Sequence, residues 1–220
     1  MRLTFPSLRE IAAGPEDIVW TDATALTVEN LRDAYRSGIF PWPARPHEPI
    51  PWCSPDPRAV LVFAELTPGR TLEKTLRRGG LTFTIDRAFP SVIAACAAAP
   101  RPGQDGTWIA PSITAAYTAL HREGIAHSVE VWRDEKLIGG LYGVDAGGLF
   151  CGESMFHHEP NASKLAILHL VDHLTARGST WMDIQQLTPH MARLGAREIS
   201  RDVYLAALER ELTAARVLFK

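Results

Sequence analysis

Gly139-Gly140-Leu141-Tyr142-Gly143-Val144-Asp145-Ala146-Gly147-Gly148-Leu149-Phe150-Cys151-Gly152-Glu153-Ser154-Met155-Phe156 reads as two strands joined by a turn. Apolar residues run to Val144, Asp145-Ala146-Gly147-Gly148 supplies the turn, and apolar residues resume at Leu149. Six glycines in this stretch weaken a sheet, because each loses backbone entropy and packs no side chain. Such strands are expected where something approaches the backbone closely. Glu153, a carboxylate in apolar surroundings, marks the same stretch as a candidate site, since buried charges need a partner or a purpose.

Outward from this hairpin, the pattern is α+β. Before it, His127–Trp132 alternates as a strand and Ser112 starts a helix with Ile113, Ala116, Tyr117 and Leu120 inward. After it, a helix capped by Asn161 or Ser163 ends at Gly178, and Trp181–Gln185 is a short strand. Thr188, Pro189 and Gly195 frame a short helix, Arg197–Ile199 is a short strand, and 202–215 is a terminal helix. Upstream, Thr27 caps a helix stopped by Gly38, Arg58–Phe63 and Leu81–Ile85 are strands, and Phe89–Ala99 is a helix; Arg101–Gly106 is a loop. Residues 1–26 read as irregular. Prolines 41, 43, 46, 49, 51, 55 and 57 exclude helix and central strand from the run after Gly38. Phe40, Trp42, Ile50 and Trp52 make that run an ordered loop rather than a solvated linker. The expected division is a small N-terminal domain over 1–60 and a second domain over 61–220 with a mostly antiparallel mixed sheet.

With 220 residues, 46% of them hydrophobic, the chain can bury a sizeable core. A net charge of −2 gives no global signal for nucleic acid, although one basic face would suffice. Arg70, Lys74, Arg77 and Arg78 lie mostly on one face of a short helix, either a solvated face or a phosphate-contacting patch. The three cysteines form no Cys-x-x-Cys pair, so a reducing, cytoplasmic setting is expected, and no secretory or membrane-spanning segment is read. His169 and His173 lack the zinc-protease pattern, Glu153-Ser154 lacks a nucleophile elbow, and no nucleotide-phosphate loop occurs. Cys151 is either a thiol nucleophile or, the better reading, strand packing. Asp183 and Gln185 share a strand face by period two, either orienting an amine or satisfying loop backbone. Trp42, Trp52 and Trp108, with Phe40 and Tyr35, offer either packing or a stacking platform for a base.

Seven collinear segments carry a resemblance: Gly38–Trp42, Trp52–Leu61, His127–Trp132, Gly139–Val144, Phe150–Phe156, Asn161–Lys164 and Met182–Gln185. Together they are similar to the bacterial leucyl/phenylalanyl-tRNA–protein transferases. The resemblance implies transfer of leucine or phenylalanine, and methionine by extension, from aminoacyl-tRNA to an N-terminal arginine or lysine, creating a degradation signal. It implies a small N-terminal domain followed by an acetyltransferase-like (GNAT) domain, acting as a monomer. The coenzyme A loop of acetyltransferases is absent, Glu159-Pro160-Asn161-Ala162 standing in its place, so no cofactor is expected, and the cysteine and histidine spacings lead to the expectation of no metal. By position, the resemblance assigns Leu141, Phe150, Leu170 and Met182 to the aminoacyl pocket and Glu153 to the aminoacyl amino group. It assigns Trp42, Trp108 and Tyr35 to the terminal adenosine, Asp183 and Gln185 to the reacting centre, and Arg70, Lys74, Arg77 and Arg78 to the acceptor stem. The alternatives are an acyl-coenzyme A N-acetyltransferase, which the missing loop disfavours, and a non-catalytic tRNA-binding module, which Glu153, Asp183 and Gln185 disfavour.

Overall fold

A computed structural model describes residues 2–42, 49–77, 79–100 and 107–219, with only the backbone of 70, 71, 73 and 77. The expected features at Pro43, Pro46, Arg78 and the loop Arg101–Gly106 lie outside the described residues.

The N-terminal segment is not irregular. Ser7 and Glu10 close a capping box on α1 (Leu8–Ala13), a four-residue signature that is legible in the sequence. β1 (Asp17–Thr21) follows, then α2 (Val28–Arg36). Thr27 Oγ1 accepts the Asn30 N–H at 3.2 Å, and Gly38, at φ +73°, ends the helix against the helix Arg201–Ala214. A Cβ at Gly38 would stand 2.6 Å from Leu205. β2 (Phe40–Pro41) and β3 (Ile50–Cys53) join β1 in an antiparallel sheet, order β1-β3-β2. Pro51 therefore lies in a central strand, against expectation. Its carbonyl still accepts the Trp42 N–H at 2.8 Å, so this short ladder tolerates the missing donor.

Among the described residues the larger sheet has seven strands in the order β10-β4-β9-β8-β7-β6-β5. In chain order the elements are β4 (Arg58–Val62), α3 (Arg70–Arg77), β5 (Thr82–Ile85), α4 (Phe89–Ala98), α5 (Pro111–Arg122), β6 (Ala126–Arg133), β7 (Lys136–Asp145), β8 (Phe150–His157), α6 (Ala162–Thr175), β9 (Trp181–Gln185), α7 (Pro189–Ala192), β10 (Arg197–Ile199) and α8 (Arg201–Ala214). The boundary expected between 60 and 61 falls inside β4, which pairs with β9 and β10. All neighbours are antiparallel except β8 and β9, whose parallel ladder is Cys151 opposite Asp183. The helix α6 crosses between them, as a parallel pair requires. Asn161 sits at the N-cap of α6 in a left-handed conformation, but its side chain makes no capping bond, so neither expected cap closes that end.

Period-two alternation gives the sheet two buried faces. Val60 and Trp181 pack with Leu31, Tyr35, Tyr117, Tyr142 and Tyr204 under the N-terminal segment and α2, α4, α5 and α8. Leu61 and Met182 pack with Leu141, Phe150, Leu165 and Leu170 under α6. The glycines of β7 serve this packing rather than a visiting molecule. A Cβ on Gly139 would lie 2.5 Å from the Ala162 Cβ, and one on Gly143 would lie 2.4 Å from the Phe150 ring. Gly152 alone of the four strand glycines has room, its nearest neighbour being the Asp183 carbonyl at 3.7 Å.

Candidate active site

Two irregularities in strand register build the site. Tyr142 pairs with Ser154 but Gly143 pairs with Gly152, so β8 carries one extra residue, Glu153. Ala59 pairs with Gln185 but Val60 pairs with Asp183, so β9 carries one extra residue, Ile184. Bulges re-aim side chains and end pairing. These two lie just past the Cys151–Asp183 rung, where the parallel ladder stops. The Gln185 side chain spans that parting: its Nε2 donates to Glu153 Oε1 at 2.7 Å.

Glu153 receives two more donors. The Tyr35 hydroxyl donates to Oε1 at 2.7 Å, and the Tyr117 hydroxyl reaches Oε2 at 3.3 Å. The two tyrosine hydroxyls are also bonded to each other. Burial raises the Glu153 pKa to about 7; the Tyr35 bond opposes the rise and the Asp183 charge adds to it. The residue keeps part of its surface accessible. It is thus a carboxyl that changes charge near neutrality, the range suited to proton traffic. Burial pushes both tyrosines well above their usual range, so they remain hydrogen-bond donors.

Asp183 is bound differently from expectation. The period-two reading paired its side chain with that of Gln185. Instead Gln185 has φ +57°, which breaks the strand period, and only its backbone N–H meets Asp183, at 2.9 Å from Oδ1. The carboxylate is fully buried and faces Arg58, whose Nε donates to Oδ1 at 2.9 Å and Nη2 to Oδ2 at 2.7 Å. Tyr204 donates to Oδ2 at 3.0 Å. Burial works against the Arg58 charge, but Asp183 and Tyr204 outweigh it and hold the guanidinium above its ordinary pKa. Cys151, beside Asp183, is fully buried and its thiol is pushed well above the usual range by that burial, which agrees with packing rather than nucleophilic use.

Among the other residues singled out, Leu141, Phe150, Leu170 and Met182 meet in one apolar cluster on the α6 face. Tyr35 is 1% exposed, its hydroxyl committed to Glu153 and Tyr117. Trp52 is no stacking platform: it is buried, donates to Thr21 at 2.8 Å and packs on Phe5. Trp42 and Trp108 are half-buried at the margin of the other cluster, Trp42 against Phe40 at 5.5 Å. Lys74 is exposed on α3; the side chains of Arg70 and Arg77, and all of Arg78, lie outside the described residues. No described hydrogen bond ties Trp42, Trp108 or Lys74 to the Glu153 network. Sequence reasoning missed Arg58, Tyr117 and Tyr204 as members of the site. Arg58 had a signal, a lone charge opening the apolar run Ala59–Val62, and such a charge needs a buried partner. Tyr117 looked like an ordinary inward residue of its helix, and Tyr204 stood out in no way within the terminal helix.

Residues 60–209 match the family model described as leucyl/phenylalanyl-tRNA protein transferase, and residues 24–56 match the model of its N-terminal domain. The leucyl/phenylalanyl-tRNA–protein transferase of Chromohalobacter salexigens is 50% identical over 213 residues, covering 97% of this chain and 82% of that protein. The one from Proteus mirabilis is 52% identical over 180 residues, covering 82% and 76%. Among solved structures, the ribosomal-protein-alanine N-acetyltransferase from Brucella melitensis biovar Abortus is 17% identical, covers 52% of this chain and 86% of that chain, and has a TM-score of 0.34, too slight to bear on the fold. No described helix is long and apolar enough to cross a membrane. The match over both segments and the identity along nearly the whole chain agree: this chain belongs to the leucyl/phenylalanyl-tRNA protein transferase family.

Proposed function

We propose that the chain moves leucine or phenylalanine from its tRNA to the N-terminal arginine or lysine of an acceptor protein, acting as a cytoplasmic monomer. Family membership supports the aminoacyl transfer. The observation that carries the choice of site is Glu153: a partly accessible carboxyl that ionises near neutrality, fixed by Tyr35, Tyr117 and Gln185 where β8 and β9 part.

In this reading the ionised Glu153 holds the ammonium of the aminoacyl group. Leu141, Phe150, Leu170 and Met182 receive its apolar side chain. Trp42 and Trp108 hold the terminal adenosine beside Tyr35, and Arg70, Lys74, Arg77 and Arg78 meet acceptor-stem phosphates. Gln185 spends its Nε2 on Glu153, which leaves its Oε1 to orient the attacking amine. A C–N bond forms to the ester carbonyl carbon, the C–O bond to the ribose breaks, and the proton lost by the amine balances the one gained by the departing ribose oxygen. Asp183 already accepts four hydrogen bonds, so it acts by fixing the Gln185 backbone rather than by taking that proton. Holding the amine against the carbonyl supplies much of the acceleration.

The test is incubation with labelled leucyl-tRNA and two peptides differing only in a first residue of arginine or alanine. Label is expected on the arginine peptide alone. Label on neither removes the reading, and label on both removes the acceptor preference.

A further inference from the structure

We infer that Arg58 is a positioning residue for the transfer, acting on the reacting groups through Asp183 and Gln185 without touching substrate; this rests on the proposed function. Arg58 is 1% exposed and every nitrogen of its guanidinium is used. Nε and Nη2 form the fork on Asp183, Nη1 donates to the Gly38 carbonyl at 3.1 Å, and Nη2 also reaches the Tyr204 hydroxyl at 3.3 Å. The rings of Phe40 and Tyr204 flank the cation, their centroids 4.8 and 4.4 Å from its central carbon. The planar fork, clamped between two rings, fixes both oxygens of Asp183 in one orientation.

That orientation has a single onward consequence. Asp183 Oδ1 points at the N–H of Gln185, a non-glycine residue in the left-handed region. Such a conformation persists only where its surroundings over-determine it. It sends the Gln185 side chain across the parting to Glu153 instead of leaving it on the Asp183 face. The relay is therefore Arg58 to Asp183, Asp183 to the Gln185 backbone, and the Gln185 amide to Glu153. A buried ion pair is weak evidence for stability, because apolar residues of similar volume often serve as well. What apolar residues cannot supply is an oriented acceptor for the Gln185 N–H. The Gly38 bond and the Phe40 contact also make the segment after α2 part of the support, so the small N-terminal sheet and the reacting centre share one arginine.

The experiment compares wild type, Arg58→Lys, Asp183→Asn, the double variant and Tyr204→Phe for transfer from labelled leucyl-tRNA to the arginine peptide. Circular dichroism checks folding. Arg58→Lys keeps the charge but loses the fork; kcat should fall at least about tenfold while KM for either substrate stays within about twofold. Because Arg58 acts only through Asp183, the double variant should lie within about threefold of Asp183→Asn. Wild-type kcat in Arg58→Lys, or losses that multiply in the double variant, would overturn the inference while leaving the proposed function standing. No transfer by wild type overturns both. If Arg58→Lys does not fold, Tyr204→Phe decides, since it removes one hydroxyl bonded to Asp183 and Arg58. A fall in kcat of at least about threefold at unchanged KM supports the relay, and a smaller fall or a loss confined to KM overturns it.

Discussion

Replacing Glu153 by glutamine should make the protein more stable at pH 8 and leave it unchanged near pH 4.5. The Glu153 pKa is raised from 4.5 to about 7 in the folded chain, so between those values the folded state holds a proton that the unfolded state has lost. Stability from this group is complete below about 4.5, is lost as pH rises towards 7, and stays lost above it. A separation of about 2.5 pKa units corresponds to about 3 kcal/mol, an upper figure because the residue keeps some contact with water. Glutamine keeps the network intact. Its amide can donate to Tyr117, Tyr117 to Tyr35, and Tyr35 back to the amide oxygen, the ring that protonated Glu153 would also close. In a chain of this size 3 kcal/mol is a rise in Tm of about 6–12 °C. Thermal unfolding followed by circular dichroism at both pH values measures it, and titrations common to both proteins cancel in the difference. An equal Tm difference at the two pH values, or a lower Tm for the variant at pH 8, would refute the account of a strained, ionised Glu153.

The same substitution should abolish the pH response of transfer: wild-type kcat/KM for leucyl-tRNA should fall about tenfold per unit below pH 7, and a limb surviving in Glu153→Gln would assign it to another group. Asp183→Asn should lower turnover by at least about tenfold while tRNA affinity, read by filter binding, is kept; near-wild-type turnover would remove its proposed role. Gly143→Ala should destabilise by about 1–3 kcal/mol in urea unfolding, since the new methyl meets the Phe150 ring and the Cys151 carbonyl. Gly152→Ala, whose new methyl would meet the Asp183 carbonyl and the Phe150 ring at ordinary contact distance, should change stability by less than about 0.5 kcal/mol, and a large loss there would contradict the packing described.

Elements with both a stop signal and a period were legible in the sequence. The α2 helix had Thr27, an apolar face and Gly38, and the β7–β8 hairpin had its Asp-Ala-Gly-Gly turn. Register was not legible, because an alternating pattern does not show where one strand holds an extra residue. That is why Asp183 and Gln185 looked like neighbours on one face, whereas the bulge at Ile184 sends them to different partners. The rule that proline leaves a central strand failed at Pro51 because the sheet around it is only a few residues long. The charge of Arg58 was visible, but its partner lies 125 positions away and no local pattern connects the two. Glu153 was found as an unexplained carboxylate; its tyrosine donors come from α2 and α5, which only the tertiary fold brings to β8.

The separation between Arg58 and its partners also orders events during synthesis. Asp183 leaves the ribosome 125 residues after Arg58, and Tyr204 146 residues after it. Until then β4 lacks both its sheet neighbours, and of the partners that surround the guanidinium in the fold only the Gly38 carbonyl and the Phe40 ring have been made. Contacts of such long range close late, after the local hairpin β7–β8 and its helices. A nascent chain stopped before α8 would carry every residue assigned to substrate and still lack the Tyr204 hydroxyl that completes the Asp183 cage. Without α8, Asp183 would keep its bonds from Arg58 and from the Gln185 backbone but lose the one from Tyr204.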